Sequence, residues 1–96
     1  MNLDRPSGIA FDTDENIYVS DTLNHRVQVF TKEGQFLSKW GEYGSKEGQL
    51  NLPWGLTTDI AGNVYVADWC NHRVQKFSPN GRVISSFGEF AIWLFG

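Results

Sequence analysis

The sequence predicts an all-β protein built from two copies of one four-stranded antiparallel unit, on three observations. First, the chain superimposes on itself at an offset of 47 residues: between Pro6–Tyr43 and Pro53–Phe90, 17 of 38 positions are identical without a gap. A repeat of that period marks solenoids, propellers and arrays. Second, each copy breaks into short runs rich in β-branched and aromatic residues, separated by turn formers, which is the composition of strands. Third, these runs are apolar on both faces. Val27 and Val29 fall on one side of their strand and Gln28 and Phe30 on the other, while Ile17 and Val19 oppose Tyr18 and Ser20. A sheet apolar on both sides needs a neighbour on each, the condition of a blade inside a β-propeller.

In the first copy the strands are expected at about Gly8–Asp12, Asn16–Asp21, Arg26–Thr31 and Gln35–Trp40, joined by "DTDEN", "TLN" and "KEG". The last turn of the second copy, "PNG" at Pro79 to Gly81, contains Asn-Gly, a two-residue hairpin signal in which both central residues take positive φ. A helical reading fails because "IYVSD" and "VYVAD" are short and β-branched and Gly recurs too often for a long helix. A parallel β-helix has coils shorter than this repeat. The organisation is one blade over residues 3–49, a second over 50–90, and an apolar tail, "AIWLFG", over 91–96. At the 47-residue offset that tail falls where the first copy has a polar connection.

A chain of 96 residues is one domain at most. Its net charge of −3, with eight basic residues scattered among eleven acids, disfavours binding to a phosphate backbone, which needs a concentrated positive surface. One cysteine, Cys70, excludes an intrachain disulfide and a Cys-rich metal site. The first residues, "MNLDRPSG", have neither a basic nor an apolar leader region, and no long apolar run occurs before residue 90. No membrane contact is expected, and a complete chain would be cytoplasmic.

The motifs that repeat in register are Pro-x-Gly-Ile/Leu (Pro6 and Pro53), "NIYVSD" and "NVYVAD", "NHRVQVF" and "NHRVQKF", and Gly34 and Gly81. In these the chain resembles the NHL repeat over about residues 3 to 90. The resemblance implies blades of six-bladed propellers. It also implies a family whose members include RNA-binding and protein-binding regulators, extracellular sensor domains and a zinc-dependent lyase acting on C-terminal hydroxyglycine peptides. Fold-level likeness does not choose among these. Two blades are fewer than a closed propeller takes. Three explanations compete: a part of a larger propeller, a two-blade protomer whose three copies close a six-bladed ring, or a tail foreign to the repeat. The favoured one is the homotrimer, with Ile92, Trp93, Leu94 and Phe95 packed across the subunit boundary near Leu3 of the next chain.

Polar residues identical in both copies are read as blade fasteners: Asp21, Asn24 and Arg26, then Asp68, Asn71 and Arg73. Each Asp is expected to accept N–H groups of its own turn and to hold the Arg, and each Asn to supply a left-handed residue at the chain reversal. His25 and His72 could ligate metal or act as bases, but a metal site wants three or four converging ligands, so no metal and no cofactor are expected. Neither Ser20 nor Cys70 lies in a nucleophile signature. Residues that differ between copies can tune a surface: Arg5 against Leu52, Ser7 against Trp54, Thr22 against Trp69. Arg5, Tyr43, Trp54 and Trp69, with His25 and His72, are the ligand-binding candidates on the end of the blades where the second-to-third-strand loops emerge. An alternative is that both Trp pack between blades. The expected function is a non-enzymatic binding scaffold for protein, peptide or small ligand. The alternative is part of a larger NHL protein, either a metal-dependent lyase- or lactonase-like enzyme or an RNA-binding propeller.

Overall fold

The computed structural model describes residues 3–88; Phe90 and the apolar tail at 91–96 lie outside the described residues. Strands β1 (Pro6–Phe11), β2 (Ile17–Asp21), β3 (Arg26–Phe30) and β4 (Phe36–Trp40) form one antiparallel sheet in chain order. Strands β5 (Pro53–Thr58), β6 (Val64–Asp68), β7 (Arg73–Phe77) and β8 (Val83–Phe87) form a second sheet in the same way. The two sheets are blades of a β-propeller, packed face to face. Pro6 and Pro53 open β1 and β5, which are edge strands, so the missing N–H costs no ladder bond. A bulge follows each proline.

The hairpin turns share one geometry. In each, the last loop residue is left-handed: Glu15, Gly34, Gly62 and Gly81 have φ of 66, 88, 88 and 87°. The expected two-residue Asn-Gly hairpin is not formed. Gly81 N–H instead donates to the Ser78 carbonyl at 2.9 Å and Ser78 N–H to the Arg82 carbonyl at 2.8 Å, enclosing a three-residue loop in which Gly81 alone has positive φ. The reason is Pro79. It lacks the N–H that a two-residue hairpin draws from that position, and its fixed φ suits the first corner of a type I turn.

The core lies between the sheets. Tyr18, Val27 and Val29 of blade 1 pack with Leu56, Val64, Val66 and Phe77 of blade 2, and Leu50 of the connection joins them. Trp40 meets Phe77 with ring centroids 4.7 Å apart. Full burial of each such side chain contributes roughly 1.5–3 kcal/mol. The sheets approach backbone to backbone at Gly8, where an added Cβ would lie 2.5 Å from the Trp54 carbonyl oxygen. Hydroxyls fill in around that point: Ser20 Oγ donates to the Trp54 carbonyl and Thr22 Oγ1 to the Pro53 carbonyl.

Each blade keeps one face open, and the repeat shows what is missing there. Leu56 is 9% exposed against blade 1, whereas its counterpart Ile9 is 60% exposed; partly buried Val83, packed against the core, corresponds to Phe36 at 37%. Blade 2 likewise leaves Tyr65, Lys76 and Phe87 on the face that in blade 1 carries Tyr18, Val29 and Trp40.

Candidate functional site

At one end of each blade a 3₁₀ turn, Thr22–Asn24 or Trp69–Asn71, links the second strand to the third. The left-handed residue that closes it is His25 (φ 55°) or His72 (φ 54°), with its N–H on the Thr22 or Trp69 carbonyl. The Asn expected in that role has another task. Asn24 Nδ2 donates to Asp21 Oδ2 and Asn71 Nδ2 to Asp68 Oδ2, both at 3.0 Å, which requires Asn to stay inside the turn and passes the reversal to the next residue.

Asp21 and Asp68 are fully buried. Each Oδ2 also accepts an Arg Nε, from Arg26 at 2.9 Å or Arg73 at 2.7 Å. A Gln completes the set: Gln28 Nε2 at 3.0 Å and Gln75 Nε2 at 3.2 Å. The expected bond from the Asp's own turn is replaced by one from the incoming segment, since Asp4 N–H reaches Asp21 Oδ1 at 2.6 Å and Asn51 N–H reaches Asp68 Oδ1 at 2.8 Å. Burial pushes the Asp21 carboxyl up, but the bonds from Asp4 N–H, Asn24, Gln28 and Arg26 together outweigh it and hold the group below the ordinary aspartate value.

The repeated polar residues of blade 2 do more than close a turn; they clasp the connection between blades. Asn71 Nδ2 donates to the Gly44 carbonyl at 2.8 Å, Arg73 Nη1 to Ser45 at 3.1 Å, and Arg73 Nη2 to Lys46 and Gln49, both at 2.9 Å. Gln75 donates to the Gln49 carbonyl at 2.7 Å and accepts Gly48 N–H at 2.9 Å. The two glutamines were not singled out from the sequence, although their identity in both copies was the available signal.

The ligand-binding candidates fall into separate groups. Trp54 and Trp69 come together within blade 2, their centroids 6.3 Å apart, each 47% exposed. His25 and Tyr43 form a second pair at 4.8 Å. His25 Nδ1 also accepts Leu52 N–H at 3.1 Å, so it is part of the blade junction. His72 and Arg5 are exposed, and Arg5 stands at the entrance to β1, left-handed at φ 54° like its counterpart Leu52. Among the described residues no three His, Cys, Asp or Glu side chains converge on a point fit for a metal ion. At the opposite end of the blades, a cleft of about 400 Å³ is lined by Asp12, Tyr18, Val29, Ile60, Gly62 and Asn80, among others. Burial, with the adjacent Asp12 carboxylate, pushes the Tyr18 phenol up to about 12.

Residues 1–88 match the family described as SMP-30/Gluconolactonase/LRE-like region. The chain is 48% identical over 48 residues to Protein brain tumor of Drosophila melanogaster, a stretch that is 50% of this chain and 5% of that protein. It superposes on a gluconolactonase from Xanthomonas campestris with a TM-score of 0.66 and 24% identity, covering 91% of this chain and 28% of the other. On a chain of the nidogen/laminin complex the TM-score is 0.72 at 20% identity, covering 95% and 33%. The chain thus spans a third or less of the length of these proteins, and the structural likenesses establish the fold.

Proposed function

Because the chain belongs to the SMP-30/Gluconolactonase/LRE-like family and carries the NHL repeats of a β-propeller, we propose that it acts as a non-enzymatic binding scaffold, assembled from three copies into a six-bladed ring. The observation that carries the binding role is the Trp54–Trp69 pair, two half-exposed indoles in contact distance on a framework that otherwise repeats. Large aromatic anchors of this kind dominate interfaces. The ring is supported by the two open blade faces, whose counterparts inside the chain are buried against each other.

Assembly would also complete the site. In blade 1, Thr22 hydrogen-bonds the Pro53 carbonyl of the following blade; its counterpart Trp69 would stand beside Pro6 and Arg5 of the next copy. Each junction between copies then gathers two indoles and a guanidinium, suited to a protein, peptide or small ligand with a flat apolar surface and an anionic group.

Sedimentation equilibrium at micromolar concentration should give three times the 10.9 kDa chain mass. With peptides selected by display against the wild type as probe, Trp69→Ala should weaken binding at least about tenfold while keeping that mass. Loss of the assembled mass instead would assign Trp69 to the junction alone. The gluconolactonase likeness favours a second reading, a lactonase-type enzyme, which hydrolysis of a simple sugar lactone above background would establish.

A further inference from the structure

Asn80-Gly81, at the tip of the loop between β7 and β8, has a chemistry that its role in the turn does not use. It is the only asparagine in the chain followed by glycine. The main-chain nitrogen after an asparagine can close a five-membered ring on the side-chain carbonyl, and a side chain on that next residue hinders the approach. Position 81 has none and tolerates none: its φ is 87°, and a Cβ there would run into the Trp40 indole. Packing against Trp40 therefore holds an unhindered nitrogen beside the Asn80 amide. The equivalent turn of blade 1 carries Glu33-Gly34, which has no amide to lose.

The surroundings favour ring closure at this asparagine over the others. Asn80 is exposed. The Ser78 hydroxyl donates to Asn80 Oδ1 and accepts Arg82 N–H at 3.1 Å, so its proton is aimed at the oxygen on which charge develops when Cγ is attacked, and a donor so placed lowers the barrier. The bond from Gly81 N–H to the Ser78 carbonyl, 2.9 Å, has to open first, but at an exposed loop tip such opening is local and leaves the strand ladder in place. The amides of Asn16, Asn24, Asn63 and Asn71 instead donate to the carboxylates of Asp12, Asp21, Asp59 and Asp68. Side chains on Ile17, His25, Val64 and His72 follow them, and Leu52 follows Asn51.

We propose that Asn80 is a site of spontaneous covalent modification, deamidating through a succinimide formed with Gly81 in the folded protein. The Gly81 nitrogen loses its proton to hydroxide and bonds to Asn80 Cγ; the Cγ–Nδ2 bond breaks, and Nδ2 takes a proton from water and leaves as ammonia. Water then opens the ring, at the side-chain carbonyl to give aspartate or at the main-chain carbonyl to give isoaspartate. Either product sets a carboxylate in the cleft that Asn80 lines together with Asp12 and Asp14. Isoaspartate also adds a methylene to the main chain inside a loop closed by the Ser78 N–H bond to the Arg82 carbonyl, 2.8 Å, so it loosens the β7–β8 hairpin. The reaction needs one chain and water, and holds whatever the assembly.

Incubating the folded chain at mildly alkaline pH tests this, with peptide mass mapping and an isoaspartyl-specific methyltransferase as readouts. The peptide containing Asn80 should show the mass gain of one amide-to-acid conversion and a methyl-accepting isoaspartate before any other asparagine reacts, and Asn80→Gln should lose both signals. Glu33→Asn places the same pair in the blade 1 turn, where Gly34 has φ of 88° and Thr31 Oγ1 accepts Gln35 N–H at 3.0 Å; it should add a second conversion at a comparable rate. An Asn80 that stays intact in the folded chain while the urea-unfolded chain converts overturns the proposal, as do other asparagines converting equally fast. An inert turn in Glu33→Asn overturns the part assigned to the loop geometry.

Discussion

Asp21 and Asp68 each carry four hydrogen bonds on a carboxylate without solvent contact. Removing one member of such a buried ion pair leaves the other charge uncompensated, so Asp21→Asn should cost about 3 kcal/mol in urea denaturation. Because the Asp21 carboxyl is held below its ordinary 3.8 in the fold, its contribution is complete above that value. It fades as pH falls through the lower, folded value. Stability should therefore rise with pH through the acidic range, and Asp21→Asn should flatten the slope without abolishing it, since Asp12 and Asp59 are also held low. Glu15 is the second residue with a clear prediction. It takes the left-handed position that Gly62 takes in blade 2, so Glu15→Gly should raise the free energy of unfolding measured in urea by up to about 1 kcal/mol. The Asp–Arg pairing is legible in two identical motifs at matching positions. The left-handed His is not, because Asn usually fills that role and only the geometry around Asp21 shows that its amide is already committed.

Strand boundaries follow from period-two alternation and turn residues, and the observed strands lie within a residue or two of those read from the sequence. What alternation does not specify is which of two apolar faces meets the neighbour. That choice is made where the sheets touch, at Gly8, Ser20 and Thr22, whose small size and hydroxyls fit the carbonyls of Pro53 and Trp54. Gly8→Ala would set a methyl group 2.5 Å from a backbone oxygen. It should lower stability by about 2 kcal/mol by levering β1 from β5, while leaving the strand content in circular dichroism unchanged below the transition. The clasp around the Gly44–Gln49 connection was equally hidden, because its acceptors are backbone carbonyls, which carry no mark in the sequence.

Two blades with one open apolar face each form a unit whose stability depends on what covers those faces. If copies cover one another, the melting temperature should rise with protein concentration over a hundredfold dilution series, by mass action; a concentration-independent melting temperature would mean that the two-blade unit stands alone. The all-β class, the repeat, the strand pattern and the paired fasteners were determined by the sequence itself, because each rests on local periodicity or on identity at a fixed spacing. The tertiary structure alone decided that Trp54 joins Trp69 while Tyr43 joins His25, that the histidines turn the chain, and that Val29 and Lys76, equivalent in the repeat, face opposite surroundings. These are matters of packing between residues far apart in the chain, where the shape and charge of the neighbouring blade, and not the pattern of the strand, set what a side chain meets.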